Sequence, residues 1–252
     1  MGCPRSGTTM TGEIINSHKH ACMLVERHSK LMRQRQLSTD SYINDIVNDF
    51  SKYPTEHQEK NLTILKSLSN ETVCYGDKIP KLYEFPGIIK RLLSDNCTIM
   101  VTLRNPMDIG LSYQARNQSA EDSWSHDITD CIRDYNIFVK QILEYSKIAG
   151  LLVLDYDIYS LSFSSFDAFK HNAHVLYELM GLMNNNGEVD ELSLEKTYTI
   201  ARQSLPGNNN ERNARRLLPT ELRDLCMKVN FSNYQDVISK NPKSLPVFKL
   251  EN

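Results

Sequence analysis

The sequence lacks the patterns that mark membrane, secreted and nucleic-acid-binding proteins. No apolar run approaches the roughly 18 residues of a membrane helix, and the first residues show no charged-then-apolar signal pattern. The formal net charge is only −2, so the chain as a whole gives no sign of binding nucleic acid. We therefore predict no membrane span, no nucleic-acid partner and a cytoplasmic location.

The cysteines do not follow the spacing of a zinc or disulfide protein. All six are spread widely between Cys3 and Cys226, without a C-x-x-C pair. We expect reduced, mostly buried thiols and no bound metal. The 252 residues, 40% of them hydrophobic, suffice for one large α/β domain or two small ones.

Short apolar runs alternate with segments of helical periodicity along the chain. Residues Ala21–Val25, Cys97–Leu103 and Leu151–Tyr156 are strand candidates, and helical patterns lie between them. This alternation is typical of an α/β fold that has a parallel sheet with helices on both faces. We predict a single domain over residues 1–252.

Four polar residues coincide with the ends of predicted strands. Glu26, Lys78, Arg104 and Tyr156 each lie at or just after such an end. Because ligands of open α/β sheets bind beyond the carboxyl ends of the strands, we expect these side chains to share a site. The polar segment 28–72 carries no nucleotide signal, and we assign it to acceptor binding or to a lid.

The octapeptide Gly2–Thr9, GCPRSGTT, is the most specific motif in the chain. Its two glycines let the backbone turn tightly around an anion, and the threonines would begin a helix whose N-terminus attracts phosphate. The spacing is that of a Walker A loop, but Thr8 stands where that motif has lysine. Arg5 supplies positive charge inside the loop instead. The motif therefore indicates a phosphate-bearing donor other than ATP.

A loop of this type normally follows a buried strand, and here only Met1 precedes it. We expect the first strand of the sheet to be missing or truncated.

The segment Leu103–Ser112 provides a second anion-binding pattern. Arg104 follows a predicted strand and offers a permanently charged, bidentate fork for phosphate. Ser112, eight residues later on the next helix, can add a hydroxyl to the same anion.

Together these segments resemble the sulfotransferases that use 3′-phosphoadenosine 5′-phosphosulfate (PAPS). The resemblance is strongest to the branch that includes tyrosylprotein sulfotransferases and many bacterial enzymes. It covers residues 2–116 well, 150–157 fairly and 200–235 weakly. It implies a P-loop-like, three-layer α/β fold with a central parallel sheet.

The resemblance also implies which residues hold PAPS. The opening loop would bind the 5′-phosphate and sulfate, while Arg104 and Ser112 would bind the 3′-phosphate. Tyr156, followed by Asp157 where the family has glutamate, would support the nucleotide pocket. A segment over residues 200–235 would cover the cofactor, with Arg202, Arg212 and Arg215 as candidates. The loop residues in this set are Arg5, Ser6, Gly7, Thr8 and Thr9.

Catalysis needs a base for the acceptor hydroxyl and positive charge near the transferred group. The resemblance gives Glu26 the role of the base, with His28 as a competing candidate, and gives Lys78 the charge-stabilising role. We also predict that Arg5 is a catalytic residue. The acceptor would be a hydroxyl on a carbohydrate, a tyrosine or a small molecule. A P-loop kinase or NTPase and a truncated, non-catalytic nucleotide-binding homologue remain alternatives.

Overall fold

The computed structural model describes residues 1–41, 57–66, 72–117, 126–148, 151–185, 189–204, 231–241 and 245–250. The strands are β1 Ala21–Val25, β2 Cys74–Lys78, β3 Met100–Leu103, β4 Leu151–Asp155 and β5 Val247–Leu250. The helices are α1 Thr8–Asn16, α2 Ser29–Arg33, α3 Gln58–Lys66, α4 Pro86–Ser94, α5 Pro106–Asn117, α6 Ile128–Ser146, α7 Tyr156–Leu161, α8 Phe166–Leu179, α9 Glu191–Ser204 and α10 Phe231–Ser239. Short 3₁₀ turns cover Pro80–Glu84, Ser162–Ser164 and Leu182–Asn185.

The strands form two small sheets with parallel neighbours. β1 and β2 pair in parallel, and so do β3 and β4. β5 adds to β4 in the antiparallel direction. The prediction of an α/β fold with parallel strands is therefore confirmed, and the antiparallel strand at the edge of the second sheet is an addition to it.

The first two residues connect β3 with the turn that follows β2. The Met1 amino group donates to the carbonyl of Met100 at 2.6 Å, and its carbonyl accepts from the Thr102 amide at 2.8 Å. On the other side, the Gly2 amide donates to the Pro80 carbonyl at 3.1 Å. Met1 thus pairs with β3 along the edge that does not face β4. Among the described residues, it is the one that pairs with this edge. The loop that follows is therefore tied to β3 and to the 3₁₀ turn that comes after β2.

Two hydrophobic clusters lie on opposite faces of β3 and β4, because successive side chains of a strand point to opposite faces. Val101 and Val153 belong to one cluster, which includes side chains of α4, α5, α6 and α10. Leu152 and Leu154 belong to the other, which includes side chains of α1, α8 and α9. Burial on both sides explains why β4 reads as an unbroken apolar run.

Side-chain caps fix the start of several helices. The Asp127 carboxylate accepts from the amides of Thr129 and Asp130 and begins α6 in a capping box. The Asp155 carboxylate, at the last position of β4, caps α7 by accepting from the amides of Asp157 and Ile158. Because α7 starts directly at the strand end, Tyr156 is a helical residue.

Some element boundaries differ from the prediction. The strand expected over Cys97–Leu103 begins at Met100, and the strand expected through Tyr156 ends at Asp155. Helices α2, α7 and α9 were not predicted. Arg212 and Arg215 lie outside the described residues.

Candidate functional site

The opening loop has the backbone conformation of an anion-binding turn. Arg5 and Gly7 both have positive φ values, 70° and 96°, and α1 begins directly after them at Thr8. Backbone turns of this kind gather several N–H groups around one point. The first N–H groups of α1 add to them, since they have no partner within the helix.

Gly7 is required by its surroundings as well as by its φ value. A Cβ atom at this position would lie 2.3 Å from two ring carbons of Tyr156. The Tyr156 ring therefore packs directly against the loop. This contact places Tyr156 beside the loop, and its predicted role in supporting a nucleotide pocket stays a prediction.

Hydrogen bonds join the loop to the segment that begins at Arg104. The Arg5 Nε donates to the Ser112 Oγ at 2.9 Å. Arg104 Nη1 donates to the Arg5 carbonyl at 3.1 Å. The two motifs are far apart in the sequence, and the fold brings them into one patch.

Two buried polar atoms in this patch have no hydrogen-bond partner among the described residues. They are the hydroxyl oxygen of Ser6 and the Nε of Arg104. The Asp157 Oδ1 lies 3.9 Å from this Nε, beyond hydrogen-bond distance. Native proteins rarely leave such groups unpaired. A hydroxyl and a guanidinium N–H are donors that suit phosphate oxygens, so these residues fit a phosphorylated ligand.

Asp157 shapes the segment around Arg104. Its carboxylate accepts from the Asn105 amide, and burial raises the pKa of Asp157 to about 6, with the charges of Asp155 and Asp108 acting in the same direction. The Arg104 guanidinium in turn lies over the Tyr156 ring, 5.3 Å from its centre. Sequence reasoning treated Asp157 only as a replacement for glutamate and missed this bond.

Glu26 and Lys78 form an ion pair at the carboxyl ends of β1 and β2. The Lys78 Nζ donates to the Glu26 Oε1 at 2.6 Å. The parallel register pairs Val25 with Lys78, so the residue after β1 and the last residue of β2 meet. The Lys78 side chain is 9% exposed and that of Glu26 is 35% exposed. A carboxylate reachable from solvent thus lies against a nearly buried ammonium group.

The competing base, His28, is held by Asp77. The Asp77 carboxylate lies 3.2 Å from the His28 Nδ1 and accepts from the His28 amide at 2.8 Å. Both side chains are buried, whereas the Glu26 side chain is not. No role was predicted for Asp77 from the sequence, although the structure places it in β2.

The remaining predicted residues occupy different surroundings. Thr8 is buried and Thr9 is exposed, both in the first turn of α1. Arg202 lies exposed in the last turn of α9, and none of the contacts of the described residues joins it to the loop. Its role in covering the ligand therefore stays a prediction.

The described ranges contain neither a helix suited to crossing a membrane nor a metal-type cluster. No helix in them is both long and apolar enough for a span. No group of three or more histidine, cysteine or acidic side chains in them has a geometry that could hold a metal ion.

Comparison with protein families gives one match. The family model described as "Sulfotransferase domain" matches residues 1–157 of the 252-residue chain. Comparisons with curated proteins and with solved structures give no match. The matched range contains the loop, Glu26, Lys78, the Arg104 segment and Asp157, but not Arg202. The chain therefore belongs to the sulfotransferase domain family.

Proposed function

We propose that this protein transfers a sulfuryl group from PAPS to a hydroxyl acceptor, on a P-loop-like fold. The observation that carries the proposal is the junction of two anion-binding motifs through Arg5, Ser112 and Arg104. PAPS has phosphate groups at both its 5′ and 3′ positions, and a site built from two such motifs suits it. Membership of the sulfotransferase domain family supports the same reaction class.

The loop would hold the 5′ end of the donor. Its backbone N–H groups and the unpaired Ser6 hydroxyl would donate to phosphate and sulfate oxygens. Arg104 would use its unpaired Nε on the 3′-phosphate, together with Ser112. The ring of Tyr156 would keep both Gly7 and the Arg104 guanidinium in place.

Glu26 would take the proton of the acceptor hydroxyl. As the acceptor oxygen forms its bond to sulfur, the bond from sulfur to the phosphate oxygen breaks and leaves adenosine 3′,5′-bisphosphate. Lys78 would stabilise the negative charge that develops at this point, because its ammonium group is fixed and poorly hydrated. The exposure of the Glu26 carboxylate supports its role as the base, since an acceptor must reach it.

The experiment uses PAPS labelled in its sulfate group and three hydroxyl acceptors, namely a tyrosine peptide, an oligosaccharide and a simple phenol. We expect one class to receive the label without added magnesium. Glu26→Gln should lower the transfer rate by about 10²- to 10⁴-fold, because it removes the general base. Its matched control is His28→Asn, which should keep most of the rate.

Three results would change the proposal. Loss of transfer in His28→Asn alone would make His28 the base. Magnesium-dependent cleavage of ATP by the wild-type protein would favour the P-loop kinase or NTPase alternative. Failure of the wild-type protein to bind PAPS or transfer the label would indicate a non-catalytic homologue.

A further inference from the structure

Two asparagine side chains form hydrogen bonds with the edge of β1 that does not pair with β2. One edge of this strand pairs with β2, so every second residue turns its N–H and C=O away from the partner. Asn16 accepts from the Met23 amide at 2.6 Å and donates to the Met23 carbonyl at 2.9 Å. Asn61 does the same at Val25, with distances of 2.7 and 3.0 Å. Each side chain replaces one residue of a neighbouring strand.

Asn61 is an unusual anchor for its helix. Of the residues that the structure describes in α3, it is the one that is buried, and its side chain is fully enclosed. A helix that packs through an amide gains little from the hydrophobic effect. The contribution of the buried Asn61 amide is therefore its two hydrogen bonds to Val25.

The backbone of Glu26, the residue that follows β1, is strained. Glu26 has a φ of 51°, in the left-handed region that residues with a side chain avoid. Asp77 holds the chain immediately after it, because its carboxylate accepts from the amides of Arg27 and His28 at 3.2 and 2.8 Å. Glu26 is thus fixed from both sides, by Asn61 at the preceding residue and by Asp77 at the two that follow.

We infer that Asn61 and Asp77 are positioning residues that aim the Glu26 carboxylate at Lys78 and at the acceptor oxygen. This inference rests on the proposed function. It assigns the polar segment 28–72 a part in catalysis through Asn61, in addition to any contact with the acceptor. Asn61 and Asp77 act through the backbone of β1 and its turn, and neither is expected to touch the substrate.

The test compares Asn61→Ala with Asn16→Ala. Each variant loses the same pair of hydrogen bonds to β1, but Asn16 acts three residues before Glu26. Misplacement of a reacting group by about 1 Å can cost about 100-fold in rate. We expect kcat to fall by about 10- to 100-fold in Asn61→Ala and by less than about 3-fold in Asn16→Ala. The dissociation constant of adenosine 3′,5′-bisphosphate should stay within about 2-fold in both, because the phosphate site lies elsewhere.

A second measurement does not depend on turnover. Acetic anhydride labels accessible lysines, and mass spectrometry measures the labelled fraction of Lys78. Because the ion pair shields Lys78, labelling should rise in Asn61→Ala and stay at the wild-type level in Asn16→Ala. Asp77→Asn keeps the size of the side chain but loses acceptor capacity, so it should behave like Asn61→Ala and serves if that variant does not fold.

The outcomes separate the inference from the proposed function. A selective fall in kcat or a selective rise in Lys78 labelling supports the positioning role. Equal changes in the Asn61 and Asn16 variants, or a parallel loss of nucleotide binding, overturn it and assign a structural role. A wild-type protein without transfer activity overturns the proposed function. The labelling of Lys78 then still shows whether Asn61 and Asp77 hold the Glu26–Lys78 ion pair in place.

Discussion

Replacing Gly7 with alanine tests the contact that holds the opening loop in place. The new methyl group would lie 2.3 Å from two carbons of the Tyr156 ring, whereas carbon atoms pack at about 3.5–4.0 Å. The ring would have to move by about 1.2 Å or more, or the loop would have to change its path. The ring also packs against Phe163 and lies under the Arg104 guanidinium, so either movement disturbs the site.

The size of the effect follows from two costs. A left-handed conformation costs a residue with a Cβ atom about 1–2 kcal/mol relative to glycine. Overpacking of a well-filled contact costs about 1–3 kcal/mol. We therefore expect Gly7→Ala to lower the free energy of unfolding by about 2–5 kcal/mol. At about 2–4 °C per kcal/mol for a chain of this size, the midpoint of thermal unfolding should fall by about 4–20 °C.

Gly12→Ala is the matched control, within the helix that begins directly after Gly7. Its Cβ would lie 3.7 Å from the nearest atom of Met23, an ordinary contact distance. Alanine is about 1 kcal/mol better than glycine inside a helix, so this variant should be more stable than the wild type. Both midpoints are measured by circular dichroism. A Gly7→Ala protein with the stability and the nucleotide affinity of the wild type would refute the role given to the Tyr156 contact.

Three further predictions concern the pH dependence of stability, the proposed 3′-phosphate site and the proposed catalytic lysine. Burial lowers the pKa of His18 from 6.5 to about 4, so the folded state resists a proton that the unfolded state accepts below pH 6.5. The free energy of unfolding should therefore fall as the pH drops from 6.5 to 4. Urea melts at a series of pH values should show a weaker pH dependence in this range for His18→Asn. The same pH dependence in the variant and the wild type would contradict the lowered pKa of His18. Ser112→Ala should weaken binding of adenosine 3′,5′-bisphosphate by about 2- to 10-fold in calorimetry, and unaltered affinity would remove Ser112 from the site. Lys78→Ala should lower kcat by about 10²- to 10³-fold with little change in nucleotide affinity, whereas a loss of affinity alone would make Lys78 a binding residue.

The sequence was sufficient for the parts of the site that rest on local patterns. The loop around Gly7 needs a glycine at one backbone position, and Arg104 follows a recognisable strand, so both stand out in the chain. The strand Ala21–Val25 was predicted with correct bounds for the same reason. Local signals of this kind need no knowledge of the tertiary fold.

The supporting residues could not be found in this way. Asn61 reaches Val25 only because α3 packs on the edge of β1, and Asp77 reaches His28 only through the register of β1 with β2. The pairing of β5 with β4 also depends on a contact between distant segments. Single asparagine and aspartate residues in polar stretches do not reveal such contacts, since most of them are solvated.

Calorimetric titration with adenosine 3′,5′-bisphosphate and adenosine 5′-monophosphate, without magnesium, tests the central claim most directly. Hydrogen bonds to a charged group contribute about 1.5–3 kcal/mol, so the wild type should bind the bisphosphate about 10- to 100-fold more tightly. Arg104→Ala should bind the two nucleotides with nearly equal affinity. Equal affinities already in the wild-type protein would contradict the assignment of Arg104 and Ser112 to a 3′-phosphate, and with it the choice of PAPS as the donor.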